Sequence, residues 1–196
     1  MQNTTITLSN VPEEIRQTHL DWLRTQFPHG TYFKQSHRYI ISHHPPTPFK
    51  DTNIMKKSQI LRLISSIASQ LAYHQNHPTA PSAPPFFTPD DIITTYQGFM
   101  ISPDKFLPII DSNTITLYNL PPFTLNTSQY IPPNITTIPA ILSPQSTYYC
   151  LGQLVATLWK KSDSPEMSRI DKKIAQFIHH ATVEMSNDRQ LIWAKS

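Results

Sequence analysis

QSTYYCLGQLVATLW, residues 145–159, is the stretch whose reading decides the fold. It holds Cys150, the only cysteine, and Gly152, one of three glycines. Leu151, Leu154 and Leu158 recur at helical spacing, so the segment predicts a helix near 147–161 with a face set for burial. On such a helix Cys150 reads as a small hydrophobe and not as a nucleophile. Tyr148, Tyr149 and Trp159 read as core packing and not as a ligand cage.

The rest of the chain limits what this helix can belong to. A length of 196 residues suits one domain with one hydrophobic core. Hydrophobic residues at 38% and charged residues at 15% exclude a fully disordered chain. The net charge of +3 comes from scattered basic residues, such as Lys56, Lys57 and Arg62, with no interleaved aromatic motif. These predict a solvated face, so no nucleic-acid partner is expected. A bilayer-crossing helix needs roughly 18–20 apolar residues in a row, and no such run occurs, so no membrane partner is expected either. MQNTTITLSN at the start lacks the basic and apolar regions of a signal peptide, which predicts a cytoplasmic protein. The Ile/Thr/Asn/Gln/His/Pro bias hints at a G-poor coding sequence, as in a viral genome.

Several chemistries lack their residues. A lone cysteine allows neither an intrachain disulfide nor a cysteine-based zinc site. His43-His44 and His179-His180 are adjacent pairs, and neighbours on a helix point about 100° apart. No metal site is therefore expected. Nineteen prolines against three glycines leave no glycine-rich phosphate loop. Ser146 has no nucleophile-elbow glycines around it, which excludes that route to hydrolase chemistry.

Periodicity predicts further elements. Asn10 is placed to cap a helix over 11–27, with Glu13 at capping-box spacing and Gly30 beyond its end. TYFKQSHRYIIS, from 31 to 42, predicts two short strands. Ile60, Leu63, Ile64, Ile67, Ala68 and Leu71 make 56–73 the clearest amphipathic helix. A proline-rich stretch at 77–90 reads as a connector, followed by a short helix over 90–97. Strands are expected around Phe106–Ile110 and Thr114–Tyr118 with a turn at 111–113. Residues 119–146 read as loop, and a last helix spans 167–186. The fold class is α+β, mostly helical.

From residue 98 onward the chain resembles the C-terminal lobe of eukaryotic-type protein kinases. GFMISPDKFLPI at 98–109 resembles the catalytic loop H-R-D-[L/I]-K-P-E-N-[I/V]-L, with Pro103 at its proline. ITLYNLP at 115–121 resembles the strand entering the D-F-G metal motif. YIPPNI at 130–135 resembles Y-x-A-P-E-[V/I], with Pro133 at its proline. STYYCLGQLVATL at 146–158 resembles S-D-[V/I]-[Y/W]-S-[L/F]-G, which opens the family's buried central helix. Thr147, Tyr149, Leu151 and Gly152 carry that match. Arg189 is placed like the family's late arginine.

The resemblance implies a single domain over 1–196. Residues 1–55 would be a reduced N-terminal lobe, and 56–196 a degenerate C-terminal lobe with a proline-rich insertion at 77–90. It also implies that the chemistry is lost. Phosphoryl transfer needs positioned carboxylates, magnesium and a lysine on the phosphates. At the matching positions stand Met100 for the base-like aspartate, Ser102 for the lysine and Lys105 for the metal-binding asparagine. Asn119 stands for the D-F-G aspartate, and Asn134 removes the glutamate that would pair with Arg189. Thr147 replaces the helix aspartate that braces the catalytic loop.

The expectation is therefore a pseudokinase, not an enzyme, without cofactor or metal, acting through a protein partner as scaffold or regulator. Phe86 and Phe87, read as exposed on the proline-rich stretch, are the candidate docking residues. The alternatives are an interaction protein of unrelated small α+β fold and a weakly nucleotide-binding relative of kinases.

Overall fold

A computed structural model describes residues 3–42, 47–49, 55–110, 113–120, 128–160, 169–183 and 189. They form an α+β fold in which four α-helices pack with short antiparallel strands. None of the described helices is long and apolar enough to cross a membrane.

The chain begins with β1 (Asn3–Thr7), α1 (Glu13–Gln26), β2 (Thr31–Phe33) and β3 (Arg38–Ser42). β3 is the centre of a sheet ordered β1-β3-β2. Its alternation buries Tyr39 and Ile41 and leaves Arg38 exposed. The strand pair expected over 31–42 is present; β1, rich in Thr, joins it unannounced. α1 starts later than expected, with Pro12 at the N-cap and no side-chain cap from Asn10. Glu13 and Glu14 instead favour the positive helix end. The Tyr39 phenol donates to the Phe27 carbonyl at 2.6 Å and fixes the chain where α1 ends.

α2 (Lys57–Gln75) realises the strongest periodicity, burying Ile60, Leu63, Ile64, Ile67 and Leu71. The same stripe also buries Gln70 and His74. A hairpin of β6 (Ile92–Thr95) and β7 (Gly98–Ile101) lies on this helix, with β4 (Thr47–Pro48) paired to the other edge of β6. Two expectations fail here. The helix over 90–97 is a single 3-10 turn, Pro89–Asp91, followed by a strand, because Ile92, Ile93, Thr94 and Thr95 are β-branched. The catalytic-loop segment starts as a strand, and Met100 is buried within it.

Gln70 explains how the hairpin is held. Its side-chain amide donates to the Ile101 carbonyl at 3.0 Å, and its oxygen accepts from the Ile101 N–H at 2.7 Å. A buried glutamine thus completes both backbone groups of one residue. Gly98, at φ 146°, permits the close approach, since a Cβ there would meet Ser66 Oγ at 2.3 Å.

The proline-rich segment is packed into the fold. Ser82, Ala83, Pro84 and Pro85 are buried, and β5 (Ser82–Ala83) pairs with β8 (Leu107–Pro108). Phe87 is only 1% exposed, and Phe86 is half-buried between the main core and a satellite cluster around Leu117, Ala140 and Leu142. The exposed docking pair is therefore corrected to packing residues. The expected strand pair over 106–118 is reduced to a bridge between Ile110 and Thr114. β9 (Ile115–Leu117) pairs instead with β10 (Ala140–Leu142), inside a segment expected to be loop.

α3 (Ser146–Lys160) is the quoted helix, and α4 (Arg169–Ala181) packs beside it. Cys150, Leu151, Leu154, Val155 and Leu158 are all fully buried. Gly152 has a packing reason: a Cβ would meet Ala181 Cβ at 2.9 Å and Thr182 Cγ2 at 2.5 Å. Asp171 accepts from Lys57 Nζ at 2.7 Å and from Trp159 Nε1 at 3.2 Å, so one carboxylate joins α2, α3 and α4. The main core runs without interruption from Ile6 and Leu23 through Leu63 and Phe106 to Leu151 and Phe177.

Candidate functional site

The head of α3 is a junction. Thr147 donates its hydroxyl proton to the Pro84 carbonyl. Tyr148 donates to Gln75 Oε1 on α2 at 2.7 Å. The Asn134 amide donates to Ser146 Oγ at 3.3 Å, and its oxygen accepts from Arg189 Nη1 at 3.4 Å. Arg189 is itself buried, donates from Nε to the Val183 carbonyl at 2.9 Å, and lies 5.1 Å from the Tyr149 ring centroid. The Cys150 thiol donates to the Tyr130 carbonyl at 3.2 Å, and burial pushes its pKa up to about 12. It is thus inert as a nucleophile, as its place on the helix predicted. Of the two prolines at 132–133, Pro132 is buried and Pro133, the one expected to define the fold, is exposed.

A second group surrounds the turn after β7. Pro103 is buried, and Ser102 Oγ donates to Asp104. Lys105 Nζ lies 2.9 Å from Asp91 Oδ1 and 3.9 Å from Asp104 Oδ2. Burial works against the lysine charge, but the Asp91 carboxylate outweighs it and raises the Lys105 pKa. Met100 is buried in β7 and Asn119 is exposed just after β9. The four expected degenerate positions are therefore not equivalent: Ser102 and Lys105 share one turn, Met100 is core and Asn119 is surface. Among the described residues, no three His, Cys, Asp or Glu side chains gather to hold a metal ion. His179 and His180 stack edge to face, 5.4 Å apart, and His43-His44 lie outside the described residues.

A concave surface, which Met100 also lines, lies beside the β6–β7 hairpin. A cleft of about 400 Å³ opens between α1, α2 and the β6–β7 hairpin. Its apolar wall is Trp22, Phe27 and Phe99, and its polar wall is Arg62 with Ser66 and Ser69. Arg62 Nη2 donates to the Tyr96 carbonyl at 2.8 Å, which ties the hairpin turn to the helix. Among the described residues, those that line the cleft carry no carboxylate, imidazole or thiol. The cleft sets hydrogen-bonding groups and one cation beside an apolar wall.

Sequence reasoning missed this cleft. Arg62, Ser65, Ser66 and Ser69 repeat at helical spacing opposite the apolar stripe, a pattern that reads equally as solvent-facing surface. Only the hairpin and α1, distant in sequence, turn that face into a wall. No family model matches the chain, and no curated protein matches it.

Proposed function

We propose that the chain is a kinase-like binding protein without phosphoryl-transfer activity, which engages a protein partner through the cleft between α1, α2 and the β6–β7 hairpin. The observation that carries the kinase-like part is the junction at the head of α3. Thr147, at the position of the helix aspartate, still reaches the backbone of a preceding segment through Pro84. Arg189 still reaches position 134, where an asparagine accepts a hydrogen bond in place of an ion pair. Residues 3–42, with one helix and a three-stranded sheet, serve as the reduced first lobe.

The hairpin supports a better register for the catalytic loop than residues 98–109. Thr88-Pro89-Asp90-Asp91-Ile92-Ile93 runs into β6 and follows the K-P-E-N-[I/V]-L end of the motif. Phe86 then stands at the base-like aspartate, Asp91 at the metal-binding asparagine, and Ser102, directly after β7, at the first residue of D-F-G. In this register Thr147 reaches the first residue of the loop, Pro84.

The residues in those places do not fit a magnesium–nucleotide complex. A phenyl ring takes no proton from a hydroxyl, and Ser102 brings no carboxylate. Asp91 is engaged by the Lys105 ammonium, a cation on the side chain that would otherwise face the metal. What is left is a scaffold with a binding cleft. An apolar side chain of a partner segment fits against Trp22 and Phe99, with a carboxylate or carbonyl on Arg62 and the serines.

Two measurements test the two halves. Full-length protein is expected to show no rise in melting temperature and no transfer of labelled phosphate with Mg–ATP; a rise of several degrees overturns the non-catalytic reading. Ser69→Trp, which fills the cleft from an exposed helix position, is expected to abolish partner capture while leaving the melting temperature unchanged. Unchanged capture places the docking surface elsewhere.

A further inference from the structure

The wall of the cleft rests on an uncommon contact. His19 from α1 and His74 from α2 are both fully buried and stacked, with ring centroids 4.0 Å apart and planes 27° from parallel. Among the described residues, none offers a hydrogen-bond partner to any of their four ring nitrogens. Phe106 closes the pair, its ring centroid 4.7 Å from each imidazole. Trp22, which lines the cleft, lies 5.9 Å from His74. The ionisable neighbours are few. Tyr73 comes from α2, His77 lies just beyond its C-terminal end, and Asp21, on α1, acts on Tyr73. From the remaining element Phe106 presents only a hydrocarbon ring.

We propose that the His19–His74 stack is an acid-release latch, which holds α1 on α2 while both imidazoles are neutral and lets the cleft come apart in mildly acidic solution. A second proton on either ring would have no acceptor and would sit beside another imidazole in a dry site. The latch concerns the wall of the cleft and holds whether or not a partner binds there.

The sign follows from which form takes up protons. Burial holds the folded pKa of His19 down to about 3; burial, with His19 and His77 adding to it, holds that of His74 down to about 2, against 6.5 for the free side chain. The released form therefore binds two protons that the closed form excludes. The closed state is fully favoured above the free-side-chain value and is lost as pH falls below it. Each histidine shifts the balance about tenfold per pH unit, and the pair about hundredfold. Two units below the free-side-chain value the released population has grown about ten-thousandfold.

The test uses the full chain. In a proton NMR titration of the wild type between pH 8 and 5.5, two histidine Cε1–H resonances are expected to stay fixed while exposed histidines shift. Two resonances assigned to His19 and His74 titrating near the free value overturn the latch, and this measurement needs no variant. In hydrogen exchange corrected for intrinsic rate, amides of α1 are expected to lose protection on acidification before those of α3. Simultaneous loss in α1 and α3 overturns local release. Finally, His19→Leu/His74→Leu is expected to shift the acid transition to lower pH and to remove two protons from its slope. An unchanged slope overturns the proposal.

Discussion

Asp171 and the His19–His74 pair are both buried where helices meet, yet their surroundings are opposite. Asp171 is charged and has partners from two other helices, Lys57 and Trp159. The two histidines are held neutral by burial, have no hydrogen-bond partner among the described residues, and stack on each other and against Phe106. A carboxylate stays in the interior only where donors replace its lost water. An imidazole has a second option, since it packs as an aromatic ring when the site keeps its extra proton away. One joint is therefore held by electrostatics and the other by exclusion of charge. In the proposed latch the second joint weakens as the imidazoles take up protons.

Substitutions can break this contrast or sharpen it. The largest effect is expected for Asp171→Ala, which strands a partly buried lysine and frees Trp159 Nε1. It should cost about 3 kcal/mol of stability in urea denaturation. A loss indistinguishable from a surface substitution would remove the charged half of the comparison. Gln70→Leu comes next, because it leaves the N–H and C=O of Ile101 without their partner. About 2 kcal/mol is expected, together with faster exchange of the Ile101 amide. The smallest effect is expected for His74→Leu. It removes two unsatisfied nitrogens and keeps an apolar group of similar bulk, so stability at about pH 8 should change by less than about 1.5 kcal/mol. A loss as large as that of Asp171→Ala would mean that the stack supplies specific attraction and is not simply tolerated.

The same contrast explains which parts of the fold were legible. Helix α2 was read from its apolar stripe because Ile60, Leu63, Ile64, Ile67 and Leu71 meet the core whatever surrounds them. α3 was legible for the same reason. The proline-rich segment was not, because proline spacing signals only that a helix cannot continue. It says nothing of whether a neighbour covers the chain. Ser82 to Pro85 are buried because α3 caps them with Thr147 and β8 pairs with β5, both distant in sequence. The hairpin after residue 91 is masked in the sequence because Pro89-Asp90-Asp91 is also a good helix start. The β-branched run that follows is the signal that reveals it.

The cleft was illegible for a different reason. A serine-rich helix face has one appearance in sequence whether water or a hairpin lies opposite. Gly98 was the available clue, being one of only three glycines, but its purpose depends on Ser66 lying against it. The landmarks of the proposed kinase-like fold are likewise visible as residue types, while their register depends on β6 and β7 forming a hairpin.

By itself, then, the sequence determined the α+β class, the buried stripes of α2 and α3, and the packing role of Cys150. These depend on local periodicity and on the transfer of apolar groups from water, which every residue carries with it. The tertiary structure alone decided that Phe87 is core, that Arg189 meets Asn134, that Lys105 rests on Asp91, and that His19 stacks on His74. Each of these joins residues far apart in the chain, and what each polar group does there depends on the partner that the fold puts within reach.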